Sequence, residues 1–285
     1  MNEYSTLEQF REYLTASSID MERWDDNKML QYIEQASRRI DKWCDRRFYP
    51  RMAARYFNYQ SAYDLLVDDD LLAVSDLSAG GTPITNTDYI LYPLNTYPKW
   101  KIEIDKSKNS ILTYISTHQK AVTVTGTWGW HNDWDNAWND SQDTVQDSSG
   151  ITATATTVTV SDTDGADING FTPRFSPGQL LKIESEYVQV IGVSSAANSL
   201  TVRRGMNGTT AATHAKDKAI SIYRPPEIIL RACLEVAKLF YEMRSATGGV
   251  IAMPQLDGSV MRVSTTALLK DLGLPVRGPN VMGFV

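Results

Sequence analysis

The residues able to do chemistry are few and scattered. The three histidines, His118, His131 and His214, lie far apart, and none has a Cys or a second His at ligand spacing. A zinc centre needs such spacing. The densest run of oxygen donors is His131, Asp133, Asp135, Asn139, Asp140 and Asp143. A calcium loop of the EF-hand type would add a glycine at its turn and a closing glutamate, and both are missing. The run therefore reads as an acidic surface loop, spanning His131–Gly150, with Trp134 and Trp138 anchoring it. Asp68-Asp69-Asp70 precedes an apolar strand and reads as a solvated cap on that strand's entry.

Gly205-Met-Asn-Gly-Thr-Thr looks superficially like a phosphate cradle, but it lacks the lysine and lies between strands, so it reads as a hairpin turn. Neither Gly-x-Ser-x-Gly nor His-Glu-x-x-His occurs. The expectation is a protein that is not an enzyme, with no cofactor and no metal.

The elements around these residues divide by hydrophobic period. Ser5-Thr6-Leu7-Glu8 has capping-box spacing and starts a short helix to about Leu14. Asp25 or Asp26 caps a longer helix in which Met29, Ile33, Ala36, Ile40 and Trp43 recur at steps of four and three. Arg46 and Arg47 follow near its C-terminal end, and Pro50 stops it.

From Arg51 the period falls to two. Strands are expected at Arg55–Tyr59, Leu71–Leu77, Tyr89–Leu91, Lys101–Asp105 and Ala121–Trp128. A second set is expected at Ala155–Val160, Leu180–Val193, Leu200–Arg204 and Ala219–Tyr223.

Pro225-Pro226 opens a return helix with Ile229, Cys233, Val236, Phe240 and Met243 on one stripe. The simplest pairing of the two long helices packs Ile33, Ile40 and Trp43 against Cys233, Val236 and Phe240. Cys44 and Cys233 fall on the apolar faces of these helices and read as buried free thiols, with a bridge open only if the helices pack side by side. Asp257-Gly258 marks a hairpin, and a last helix runs over Thr265–Leu272. The fold class is α+β, a discontinuous helical bundle with antiparallel β segments and an inserted all-β domain. Its divisions are 1–50 (helices), 51–143 (β region and Trp/Asp-rich loop), 144–223 (the inserted domain), 224–272 (return helix, hairpin and short helix) and 273–285 (tail).

Bulk properties narrow the partners. The 285 residues are 42% hydrophobic and 22% charged, ordinary globular values. A net charge of −6 argues against a general nucleic-acid binder. The first residues, Met-Asn-Glu-Tyr-Ser-Thr, carry no secretion leader and no window is long and apolar enough to span a bilayer, so a soluble protein made in the cytoplasm, with no membrane partner, is expected. Arg38, Arg39, Lys42, Arg46 and Arg47 give the first long helix a basic face, read as its solvated side or as a contact for an acidic partner.

A capped helix, an aromatic-basic stop, a β segment and a proline-initiated return helix occur here in a definite order. The residues are Tyr4-Ser-Thr-Leu-Glu8, Asp25–Pro50, Asp70-Leu-Leu-Ala-Val-Ser-Asp-Leu77, Tyr89-Ile-Leu-Tyr-Pro-Leu-Asn95, Val122–Trp130 and Arg224–Met243. In this order the chain resembles the head–tail connector (adaptor) proteins of tailed bacteriophages, over about Tyr4–Met243. The stretch Ile151–Tyr223 resembles a β module found in some phage structural proteins. The resemblance implies a structural virion protein of the particle neck, made in the host cytoplasm. It implies a homo-oligomeric ring, a dodecamer, beneath the portal protein and above a tail, stopper or tail-completion protein. Genomic DNA would pass through its channel without sequence recognition.

Family members send a C-terminal arm into the portal. By composition and position, Val281, Met282, Phe284 and Val285 are this chain's portal-docking candidates. Two other readings compete. One is a carbohydrate- or surface-binding β module of a phage tail, based on Trp128, Trp130, Trp134 and Trp138. The other is a hydrolase using the aspartates of the His131 loop.

Overall fold

The computed structural model describes residues 2–17, 25–243, 251–254 and 260–278. Among them the chain runs through α1 (Leu7–Ala16), α2 (Asp26–Cys44), β1 (Arg51–Phe57), β2 (Asp64–Ala79), β3 (Thr82–Ile84), β4 (Tyr89–Tyr92), β5 (Lys99–Ile104) and β6 (Val122–Trp128). It continues through β7 (Trp138–Thr144), β8 (Thr157–Thr159), β9 (Leu180–Ile183), β10 (Glu186–Ser194), β11 (Ser199–Arg203) and β12 (Ala219–Tyr223). The remainder is α3 (Glu227–Met243), β13 (Ile251–Pro254), β14 (Val260–Val263) and α4 (Thr265–Asp271). The class is α+β, with four described helices and two antiparallel sheets of six strands each. Two compact units divide the chain: β1–β6 belong to one, and the helices with β7–β14 to the other.

In the first unit the strand order is β1-β6-β2-β5-β4, with β3 paired to β2. Alternation along β6 puts Val122, Val124 and Trp128 into the core with Leu65, Leu77, Ile102 and Ile104. Two glycines make the close packing at β6 possible. A Cβ on Gly126 would sit 2.1 Å from the Ala73 carbonyl oxygen. Gly129 has φ +142°, and a Cβ there would lie 2.5 Å from the Tyr49 oxygen. The Trp130 amide bonds the Arg47 oxygen at 2.7 Å, while the Phe48 ring meets Trp130 edge-on with centroids 5.5 Å apart. The aromatic-basic stop after α2 is thus pinned to the Gly-Trp end of β6.

Strand β2 runs sixteen residues, much longer than the expected Leu71–Leu77, because it bends rather than begins at the aspartates. Its pairing with β5 slips between Leu66 and Leu71, making Val67–Asp70 a wide bulge. Asp68-Asp69-Asp70 is therefore not a solvated cap. Asp70 is buried and paired with Arg46 at 2.5 Å, and Asp69 pairs with Arg55.

In the second unit, Asp25 caps α2 through the Asn27 amide at 3.0 Å, and the helix ends in a left-handed Asp45. The Arg277 amide bonds the Cys44 carbonyl at 2.8 Å, satisfying one orphan acceptor at that end. The α1 capping box uses Thr6 and Gln9, one residue later than the Ser5–Glu8 spacing suggests. Helix α2 packs on α3, and α1 touches both.

The second sheet has the order β7-β12-β9-β10-β11-β8 around Val158, Ile183, Val188, Val202, Ile220 and Phe175. It begins at Trp138, so 138–144 is a strand rather than part of a loop reaching Gly150. The inward positions of β7 are Ser141 and Asp143, both buried. A period-2 pattern carried by polar residues has no hydrophobic signature. Leu180–Val193 is likewise two strands, turned at Glu184 with φ +53°.

Candidate functional site

The most ordered cluster of titratable groups is built on the β9–β10 turn and the segment before β12. Glu186, fully buried, accepts from Arg204 Nε at 2.8 Å and Nη2 at 2.7 Å, and from the Gly205 and Ala212 amides at 2.8 and 3.0 Å. His214 Nε2 lies 2.9 Å from the same carboxylate, and its Nδ1 lies 2.8 Å from Glu184. Lys218 closes the chain on Glu184 at 2.6 Å. Burial alone would raise the Glu186 carboxyl, but the Arg204 fork, the two amides and His214 outweigh it and hold it lowered to about 2. Arg204 also donates to the carbonyls of Thr152, Ala155 and Ala212. Every partner here is consumed in tying loops to the sheet, so the cluster is a clasp.

A second clasp uses Asp143. Despite burial, its carboxyl is lowered by the amides of Ser161, Asp162 and Thr144, and Arg174 Nη1 joins it at 3.0 Å. The rest of the oxygen-rich run is dispersed. The Asp133 amide donates to His131 Nδ1 at 2.9 Å, the Asp133 carboxylate takes the Asn136 amide, and Asp135 accepts from the Tyr97 hydroxyl at 2.8 Å. Asp140 accepts from the Gln142 amide. Among the described residues no three His, Cys, Asp or Glu side chains are grouped to hold a metal ion. His118 is exposed.

Cavities are modest. A cleft of about 80 Å³ lies among Glu3, Gln9, Asp167, Phe171 and Arg224, with Arg224 stacked 4.3 Å over the Phe171 ring. That is far below the ~300 Å³ at which small-molecule sites begin.

The four tryptophans of the sugar-binding reading present no exposed ring. Trp128 is buried, its indole N–H donating to the Ala53 carbonyl at 2.9 Å. Trp130 packs on Phe48, Trp134 lies half-buried beside His131, and Trp138 stacks with Tyr187 and Tyr223. Among the described residues the exposed tryptophan is Trp100, on β5, which the sequence reading did not single out.

The helices remain. Ile33, Ile40, Cys233 and Val236 are fully buried, while Trp43 and Phe240 are half-buried. Ser37 and Cys44 occupy buried positions of α2 that an apolar count passes over or assigns to Trp43. Ser37 Oγ donates to Ile33 O at 2.8 Å, receives the Tyr4 amide at 3.1 Å and lies 3.4 Å from Cys233 Sγ. Both cysteines are free, and burial pushes the Cys233 thiol up.

Along α2 an open groove of about 420 Å³ runs past Gln31, Glu34, Gln35, Arg38, Arg39 and Lys42 beside Phe240. This groove is the larger of the two cavities described here. The tail residues Val281, Met282, Phe284 and Val285 lie outside the described residues. No described helix is long and apolar enough to cross a membrane. No protein-family model matches this chain, and no curated protein and no solved structure is significantly similar to it.

Proposed function

We propose that this chain is a structural adaptor of a phage neck. In this reading it forms a twelvefold ring between the portal vertex and the tail, around the channel that carries the genome. The observation that carries the reading is the packing of α2 on α3, two amphipathic helices separated in sequence by all twelve strands of the two large sheets. In this reading the two helices belong to a discontinuous helical bundle into which the β segments are inserted. Two supporting features are the pinned aromatic-basic stop and the capped first helix, both on residues that carry the resemblance to connector proteins.

The charge fits the same role. A wall of net negative charge repels DNA phosphate and lets it slide, where a basic lining would hold it. The titratable clusters are spent on clasps, consistent with a part that holds shape rather than turns over substrate. The portal would be met by the C-terminal segment, and a tail or stopper protein would be met below.

The test is retention of the purified chain on DNA-filled, portal-containing capsids, with and without residues 279–285. Deletion from 279 leaves Arg277 in place on Cys44, so α2 keeps its C-terminal partner. Retention lost on deletion supports both the adaptor and the docking tail. Retention that survives deletion removes the tail from the reading. No retention by a folded full-length chain removes the adaptor itself.

A further inference from the structure

Among the described residues, one buried side-chain acceptor is left without a donor. Gln189, on the face of β10 opposite the Val188 and Val190 core positions, is 3% exposed, and its Oε1 has no hydrogen-bond partner. A bare buried acceptor is costly and rare. The group beside it is Glu3, whose Oε2 accepts from Gln189 Nε2 at 2.6 Å. An ionised carboxylate only accepts, so it satisfies one half of the Gln189 amide and leaves the other bare. A protonated carboxyl supplies the missing O–H, and acid and primary amide then pair through two hydrogen bonds.

The surroundings of Glu3 favour that proton. Burial raises its carboxyl above the usual carboxylate range, and Glu34 of α2 acts in the same direction, while its own backbone amide, the amino terminus and Arg38 of α2 act against them. Asp167, Arg174, Arg224 and Glu227 line the small cleft that Glu3 borders, and this cleft gives solvent a path to the carboxyl.

The residues on either side of Glu3 are tied to α2. Arg38 Nη2 donates to the Asn2 carbonyl at 2.8 Å, the Tyr4 amide donates to Ser37 Oγ at 3.1 Å, and the Tyr4 hydroxyl donates to Asp41. Residues 2–5 thus form a strap on α2, and Glu3 is the side chain that the strap extends to the second sheet.

We propose that Glu3 and Gln189 form a proton-operated latch, in which protonated Glu3 grips β10 through two hydrogen bonds and ionised Glu3 through one. Asn2 and Tyr4 stay on α2 in both states, so the proton alters only the grip on the sheet. A carboxyl raised in the closed state binds its proton more tightly there than when free. The latch is therefore fully closed below the ordinary value of 4.5 and loosens as pH rises through the raised one. This runs opposite to the Glu186 and Asp143 clasps, whose contribution falls in acid. The latch is independent of the adaptor reading.

The experiment is nuclear magnetic resonance of the full chain from pH 4.5 to pH 8. The Glu3 carboxyl carbon shift is followed together with solvent exchange of the Gln189 side-chain amide protons, corrected for the intrinsic pH dependence of exchange. In wild type the carboxyl is expected to titrate above the ordinary range, and Gln189 protection to fall at least about tenfold at the same midpoint. Glu3→Gln carries an N–H donor that does not titrate, so its Gln189 protection is expected to stay at the acid level throughout.

A Glu3 carboxyl that titrates in the ordinary range overturns the proposal. Protection that does not change through the Glu3 titration overturns it too, as does Glu3→Gln losing protection in step with wild type. Circular dichroism establishes that the variant is folded. If it is not, the two wild-type midpoints decide: coincidence supports the latch and separation overturns it.

Discussion

Arg46 Nη1 lies 2.5 Å from Oδ1 of Asp70, joining the residue just past α2 to the bulge of β2. The Arg46 guanidinium also stands 6.0 Å from the Trp130 ring centroid, and the Gly129 amide donates to the Asp70 carbonyl at 2.8 Å. The helix stop, the bulge and the end of β6 therefore meet at one ion pair.

Removing one partner of that pair leaves the other charge largely buried. Asp70→Ala is expected to lower unfolding free energy by about 3 kcal/mol, and Arg46→Met combined with Asp70→Leu by clearly less. Urea unfolding of the two variants checks this. Equal losses would mean that the site matters for its packing and not for its charge.

Gly129→Ala combines a backbone angle that side chains avoid with a Cβ placed 2.5 Å from the Tyr49 oxygen. The expected cost is about 2 kcal/mol or more, most of it from displacing the Arg47–Tyr49 segment. Gly81→Ala serves as the comparison, since φ is +78° there but nothing lies within 4 Å of the added carbon. Thermal unfolding that drops equally for both would assign the effect to the angle alone.

These sites also mark what the sequence could and could not convey. The stripe Met29, Ile33, Ala36, Ile40 and the cap at Asp25 were legible because burial and capping follow local spacing. Strand β7 was not, because its inward positions are Ser141 and Asp143, whose partners come from Ser161, Asp162 and Arg174. The His214 clasp was equally hidden: Glu184 and Glu186 are about thirty residues away in sequence, and only the β9–β10 turn and the loop before β12 bring them together. The groove along α2 reaches Phe240, and no spacing rule links residues so far apart.

Buried thiols give a second check on the helix pairing. Cys233 lies against Ser5, Ser37 and the Ile33 carbonyl, and burial raises its thiol above the usual range. Cys44 is buried as well. Neither is expected to react with a thiol reagent in the native chain at pH 8, and both should react at once in denaturant. Fast native labelling of Cys233 would mean that α2 and α3 separate readily.

Glu186 contributes to acid stability, alongside Asp143, whose carboxyl is also lowered. Its carboxyl is lowered from 4.5 to about 2 in the folded chain, so the unfolded state binds the proton first. The stabilisation is complete above pH 4.5, declines as pH falls below that, and is gone below about 2. Its full size is roughly 3 kcal/mol. Glu186→Gln should remove this contribution and leave the Arg204 guanidinium buried without its carboxylate. That variant is expected to be less stable than wild type by about 3 kcal/mol at pH 7, with the gap closing as both approach pH 2. Urea midpoints from pH 7 to pH 2 measure the convergence. Parallel curves with a constant gap would show that Glu186 is held for its shape and hydrogen bonds rather than for its charge.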